Sequence, residues 1–191
     1  MIISSIIFLC LLAIVVIYCV SIYNQLVDIK HNVTKAWANI DVLLKQRHDE
    51  LPKLVEVCKQ YRQFEQETLQ RVIEARSQVH VAREAQDIGA LGKAEGALAR
   101  GLSRLFAVAE AYPELKTNEN FMQLQQRIST LENGLSDRRE FYNEAVNINN
   151  VRIEQFPDLI IARFFRFEAK TLLKFSDTEK ADIDLKKLFN G

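Results

Sequence analysis

Glycine, proline and cysteine are scarce in this chain: its 191 residues hold 6, 3 and 3 of them. So few Gly and Pro disfavour a turn-rich β-sandwich and a long disordered stretch. Three cysteines cannot build a disulfide framework. Net charge is missing too, with 25 Lys or Arg against 25 Asp or Glu. That balance excludes a broadly basic nucleic-acid binder, so no nucleic-acid partner is expected. The most informative absence is local. No charged side chain occurs before Asp28. Two materials are joined end to end.

An apolar run stands where charge is absent. Residues 2–20 read IISSIIFLCLLAIVVIYCV, and thirteen of these 19 are Ile, Leu, Val or Phe. Near the bilayer centre each contributes about 0.3–0.6 kcal/mol, so together they favour insertion by about 5 kcal/mol. The run extends with interruptions to Val27, long enough for a ~30 Å hydrocarbon core. Tyr18 and Tyr23 suit its interface. A cleaved signal peptide is the alternative, but no basic residue precedes the run and no small-x-small site follows it. Residues 1–23 are expected to be a transmembrane anchor with the lipid bilayer as its partner. Lys30 and Lys35 flank its end, so the positive-inside count places the bulk of the chain in the cytoplasm, with an extracytoplasmic orientation left open.

Beyond the anchor, apolar residues recur at helical spacing. The first stripe is Leu26, Ile29, Val33, Trp37, Ile40 and Leu44. A break is expected at Arg47–Pro52, with Asp49 as a cap and Pro52 in the first turn of the next helix. The second stripe runs from Leu51 through Leu54, Val55, Cys58, Tyr61, Leu69 and Val72 to Val79. A Gly-containing connector is expected near residues 86–92. The third stripe is Leu91, Ala94, Leu98, Leu102, Leu105 and Ala109, beside small residues Ala90, Ala97 and Gly101. Pro113 stops it, and Thr117 or Asn118 can cap a fourth helix through Phe121, Leu124, Ile128, Leu135, Tyr142 and Ala145. These stripes predict an all-α chain: the anchor continues into an antiparallel up-and-down four-helix bundle over 24–168, with a short aromatic helix at its end. Residues 169–191 are expected to be a weakly structured tail.

Motifs for chemistry are few. His31, His48 and His80 stand apart, with no zinc spacing, so no metal is expected. The glycines at 89–101 follow no strand and lack a Lys-Ser/Thr pair, so they form no phosphate loop. No cofactor or catalytic residue is assigned. An enzyme using Tyr142, Asn143 and Asn149 would need an enclosed polar pocket. The unusual stretch is FPDLIIARFFRFEAK, residues 156–170. Ile160, Ile161, Arg163, Phe164, Phe165, Arg166 and Phe167 either cap the bundle core or contact the membrane interface, where aromatic and basic side chains are both accommodated. In an up-down bundle the end of the fourth helix returns to Tyr23.

Several strings resemble one family. They are YNQLV with Tyr23 and Asn24; AWANIDVLLKQRHDELPKLVEVCKQY with Trp37, Asp41, Arg47 and Pro52; and FEQETLQRVIEAR with Glu65 and Arg76. Next comes RLFAVAEAYPELKTNENFMQLQ with Arg104, Glu110, Tyr112, Pro113, Asn120 and Phe121. LENGLSDRREFYNEAV carries Glu132, Asn133, Arg139, Tyr142 and Asn143, and FPDLIIARFFRF carries Pro157. Together they resemble the LemA family of bacterial membrane proteins up to about residue 167. The resemblance implies an N-terminal transmembrane helix, a four-helix bundle, a place in the bacterial cell envelope, and no established activity. It also implies that another envelope protein, such as a membrane metalloprotease, is a partner. The family usually has Gly where this chain has Arg166, which puts the turn expected there in question. The charged positions of these strings either form interhelical ion pairs, worth about 0–1 kcal/mol each where exposed, or bind a partner.

The leading expectation is a membrane-tethered, non-enzymatic scaffold or adaptor. The alternative is a lipid-binding or membrane-shaping protein acting through residues 160–167.

Overall fold

The computed structural model describes residues 2–61 and 64–174. Among them every regular element is a helix: α1 (Ile2–Lys59), α2 (Gln66–Glu84), α3 (Ile88–Ala109), α4 (Pro113–Lys116), α5 (Glu119–Glu154) and α6 (Asp158–Phe164). They form two compact units. One holds Met1–Asn39 with Arg138–Leu172, the other Ile40–Asp137 with the chain from Leu173 onward. The part of the expected tail beyond residue 174 lies outside the described residues.

α1 opens as an apolar helix that packs against nothing. Its most apolar 18-residue window is wholly unburied, so this helix is a candidate membrane span. The expected break at Arg47–Pro52 does not occur; α1 runs through Pro52 to Lys59. Proline has no N–H to give to the carbonyl four residues back, which is normally disruptive inside a helix. Here Arg76 Nε donates to that carbonyl, His48 O, at 3.0 Å. The missing helical bond is replaced from another element, and the first break falls after Lys59 instead.

Later boundaries are local. Asp87 caps α3 by accepting from Ala90 N at 2.9 Å, and Gln86 just before it has φ 52°. Gly89 and Gly92 therefore lie inside α3 rather than in a connector. Pro113 begins the short α4, and Asn118 caps α5 by accepting from Phe121 N at 3.1 Å.

In the first unit α1 and α5 run antiparallel. Arg152 Nη2 donates to Gln25 Oε1 at 2.6 Å, and the Trp37 and Tyr142 rings meet edge-on at 5.7 Å. Ile22, Leu26, Ile153 and Ala162 form the buried cluster, with Ile161 and Phe167 packed against it. The second unit buries one stripe from each helix: Leu44, Leu51 and Leu54 of α1; Leu69, Val72 and Val79 of α2; Leu91, Leu98 and Leu105 of α3; Phe121 and Ile128 of α5. Cys58 belongs to this core, and burial pushes its thiol up to about 12, so it is an inert packing residue. At Gly101 of α3 the small-residue line lets Val72 come close: a Cβ there would sit 3.4 Å from Val72 Cγ2.

Candidate functional site

The aromatic and basic stretch forms a corner of the first unit. Asp158 of α6 is buried, its Oδ2 2.7 Å from Arg152 Nε, which ties the helix to the end of α5. Ala162 faces the core, and Ile161 and Phe167 are half-buried beside it. The opposite face points out. Phe156, Ile160 and Phe164, spaced four apart, are all exposed, Phe164 at 79%. Phe165, Arg163 and Arg166 are exposed as well. The Tyr23 ring packs on Phe165 at 4.6 Å and on Phe167 at 6.0 Å, which joins this corner to the end of the apolar run.

The chain turns at Arg166. Its N–H donates to Arg163 O at 3.3 Å and that of Phe167 to Ala162 O at 2.9 Å. This pair of bonds, with an apolar contact between Phe167 and Ala162, is the Schellman helix stop. It needs a left-handed residue, and Arg166 supplies it at φ 57°. The turn forms although the residue is arginine; a non-glycine there costs about 1 kcal/mol.

After the turn, residues 168–172 run as a strap along α5. Asn149 Nδ2 donates to Glu168 O at 3.1 Å. Asn150 Nδ2 donates to Lys170 O at 2.9 Å and its Oδ1 accepts from Lys170 N at 2.8 Å. Tyr142 Oη donates to Thr171 O at 3.0 Å, and burial raises its pKa. Asn149 thus satisfies its place on the buried face by bonding to backbone. Between strap, turn and α1 lies a cleft of about 350 Å³ lined by Tyr23, Val27, Lys30, His31, Asn149, Arg166, Glu168 and Lys170, with Phe165 and Phe167.

The second unit collects the charged motif residues. Arg47 and Glu95 are each 1% exposed and hydrogen-bonded to each other, and Arg47 also pairs with Glu132. Burial works against the Arg47 charge, but the two carboxylates outweigh it and raise its pKa. Asp41 binds Arg83 through both oxygens at 2.6 and 2.9 Å, and that hydrogen-bonded guanidinium lowers the Asp41 pKa. Glu65 accepts from Thr68 at 2.8 Å and from Arg104 at 3.3 Å, both exposed to solvent. Arg76 reaches both His48 O and His48 Nε2, the latter at 2.7 Å. Tyr112 stacks on Phe64 at 5.4 Å, and Phe121 meets Phe106 edge-on. Asn24, Glu110, Asn120 and Asn133 are exposed on helix surfaces or at an end, while Arg139, Asn143 and Pro157 are partly covered.

Sequence reading missed Glu95, Arg83, Asn150 and the cations of the cleft. A signal for Glu95 existed: it stands four residues after Leu91 and three before Leu98, on the apolar phase of α3.

Two comparisons bear on this arrangement. The pattern of the LemA family matches residues 36–186. Magnetosome protein MamQ 2 and magnetosome protein MamQ 1 of Paramagnetospirillum magneticum are each 22% identical over 158 residues, covering 71% of this chain and 58% of the relative. The chain thus spans less than two thirds of the length of the curated relatives it matches.

Proposed function

From the premise that this chain belongs to the LemA family, we propose that it is a membrane-tethered, non-enzymatic scaffold or adaptor of the cell envelope. The observation that carries this reading is the continuity of α1: one helix leads from an unburied apolar segment into packed stripes without a break. A domain on such a rod is held at a fixed orientation to the bilayer, which suits presentation of a surface to a neighbouring membrane protein. The antiparallel pairings within each unit support a bundle organisation, and buried ion pairs that fix helix register suit a rigid platform. Two magnetosome proteins among the relatives support a structural role without naming the partner.

We further propose the cytoplasmic side for the domain, on Lys30 and Lys35, and another envelope protein as partner. The metalloprotease implied by the family resemblance is one candidate. Crosslinking of native membranes, followed by mass spectrometry, tests the reading. Recovery of the same envelope protein in independent preparations supports it; recovery of this chain alone counts against it.

A second reading is favoured by the exposed row Phe156, Ile160 and Phe164 beside Tyr23. This face would lie against lipid headgroups, making the corner a membrane contact. A Trp placed at Phe165 in a Trp37→Phe background should be quenched by brominated lipids; unquenched emission removes this reading.

A further inference from the structure

We propose that the cleft between Tyr23, Lys30, His31, Arg166 and Lys170 binds the phosphate of an anionic phospholipid headgroup. The inference rests on residues 2–20 being a bilayer span, and it goes beyond surface contact by naming a site and a ligand class.

Charge is the first argument. Elsewhere the guanidiniums have partners: Arg47, Arg71, Arg83, Arg104, Arg127 and Arg152 all hold carboxylates. Lys30, Arg166 and Lys170 line one cleft and form no ion pair among the described residues. His31 adds a fourth nitrogen base, and Glu168 is the one carboxylate in the lining. In a chain of zero net charge, this is a local positive site left for an external anion.

Backbone geometry is the second. Arg166 stands in the left-handed region, at φ 57°, where glycine would sit without strain. Holding a long cation there points to a role for its side chain, since strained backbone clusters at binding sites. The strap is fixed as well. The carbonyls of Glu168 and Lys170 are occupied by Asn149 and Asn150, so these acceptors are engaged and do not compete with an anion for the donors.

Position is the third. Tyr23 lies three residues past Val20, about 4–5 Å along the helix axis. The headgroup layer on each side of the hydrocarbon core is about 5–8 Å thick. Arg166 flanks Phe165 and Phe167, whose rings touch Tyr23, so it stands near phosphate depth. Lys30 is about 10 Å further along the axis, and its flexible chain can reach back toward the headgroups. The aromatic floor suits the glycerol and upper acyl portion of a lipid. A volume of about 350 Å³ is at the small end for a ligand site and fits a headgroup.

The test uses the full chain in mild detergent and native mass spectrometry. Phosphatidylglycerol, phosphatidylcholine and inorganic phosphate are offered separately. The wild-type chain should retain one phosphatidylglycerol in preference to phosphatidylcholine, by at least about fivefold per basic group engaged. Arg166→Gly should lower that preference about fivefold while its unfolding midpoint stays at or above wild type, because the turn relaxes. Lys30→Ala with Lys170→Ala, both at exposed positions, should lower it further and serves as the independent variant. Equal retention of the two lipids by wild type overturns the proposal. So does an Arg166→Gly chain that keeps full preference, or inorganic phosphate binding as tightly as the lipid. Carbonate extraction of the same proteins reports the span separately, so loss of anchoring is not mistaken for loss of the site.

Discussion

Arg76 donates its Nε–H to the carbonyl of His48, the acceptor that Pro52 leaves empty one helical turn later. The proline and the arginine are thus two halves of one device joining α1 to α2. Removing Arg76 strands a partly buried carbonyl, which costs about 1–3 kcal/mol. Replacing Pro52 with alanine restores the helical donor. In a double-mutant cycle, Arg76→Ala should therefore cost clearly less in a Pro52→Ala background than alone, with a coupling of about 1 kcal/mol. Urea unfolding of the four proteins in micelles measures it; additive effects would separate the two residues.

His48 gives the same junction a pH dependence. Arg76 also donates to His48 Nε2 at 2.7 Å, so that nitrogen is the acceptor in the folded state. Burial first, then Arg76 and the His80 ring at 4.8 Å, lowers the His48 pKa from 6.5. Asp49 opposes the shift, and Arg83 adds to it. A histidine depressed in the folded state takes up a proton more readily when unfolded. Stability is therefore fully present above the unfolded value and declines as pH falls below 6.5. His48→Gln should flatten the unfolding midpoint between pH about 6.5 and 5. A wild-type midpoint that stays level across that window would count against the assignment.

Arg47 and Glu95 carry a larger penalty if separated. Each is 1% exposed, and neither charge has access to water. Breaking a buried pair by removing one partner costs about 3–5 kcal/mol, whereas replacing both by apolar residues is often neutral. Arg47→Met alone should thus be strongly destabilising, and Arg47→Met with Glu95→Leu should recover most of the loss. The half-exposed Glu132 can turn to solvent in both cases. Thermal melts followed by circular dichroism decide between this and a surface-type pair, whose removal would shift little.

How far these features could be read in advance follows from their range along the chain. The apolar stripes were legible because they repeat every three or four residues, and the Asn118 cap because its acceptor stands three residues before Phe121. Pro52 was misread as a helix start. Its rescue comes from Arg76, 24 residues away and on another helix, and no local pattern reveals that. Glu95 was overlooked because its burial depends on Arg47 reaching it across the core. The aromatic side of the candidate site was visible in one contiguous stretch. Its cations were not, because Lys30, Arg166 and Lys170 come together only when the strap lies down on α5.

Gly92 sets helix propensity against packing. Inside α3, glycine is worse than alanine by about 1 kcal/mol, so Gly92→Ala ought to stabilise on local grounds. A Cβ there, however, would lie 2.0 Å from Lys174 O and 3.0 Å from its carbonyl carbon. Backbone on both sides cannot yield, so the chain at Leu173 and Lys174 must lift away. Leu173 is fully buried, and exposing a leucine costs about 1.5–3 kcal/mol, more than the helix gains. Gly92→Ala should therefore destabilise by about 1 kcal/mol and speed amide exchange over residues 171–174. Gly134→Ala is the control: its Cβ meets only Leu43 Cδ1, at 3.5 Å, and it should stabilise by about 0.5–1 kcal/mol. If Gly92→Ala behaves like the control, Lys174 does not rest on α3 in solution.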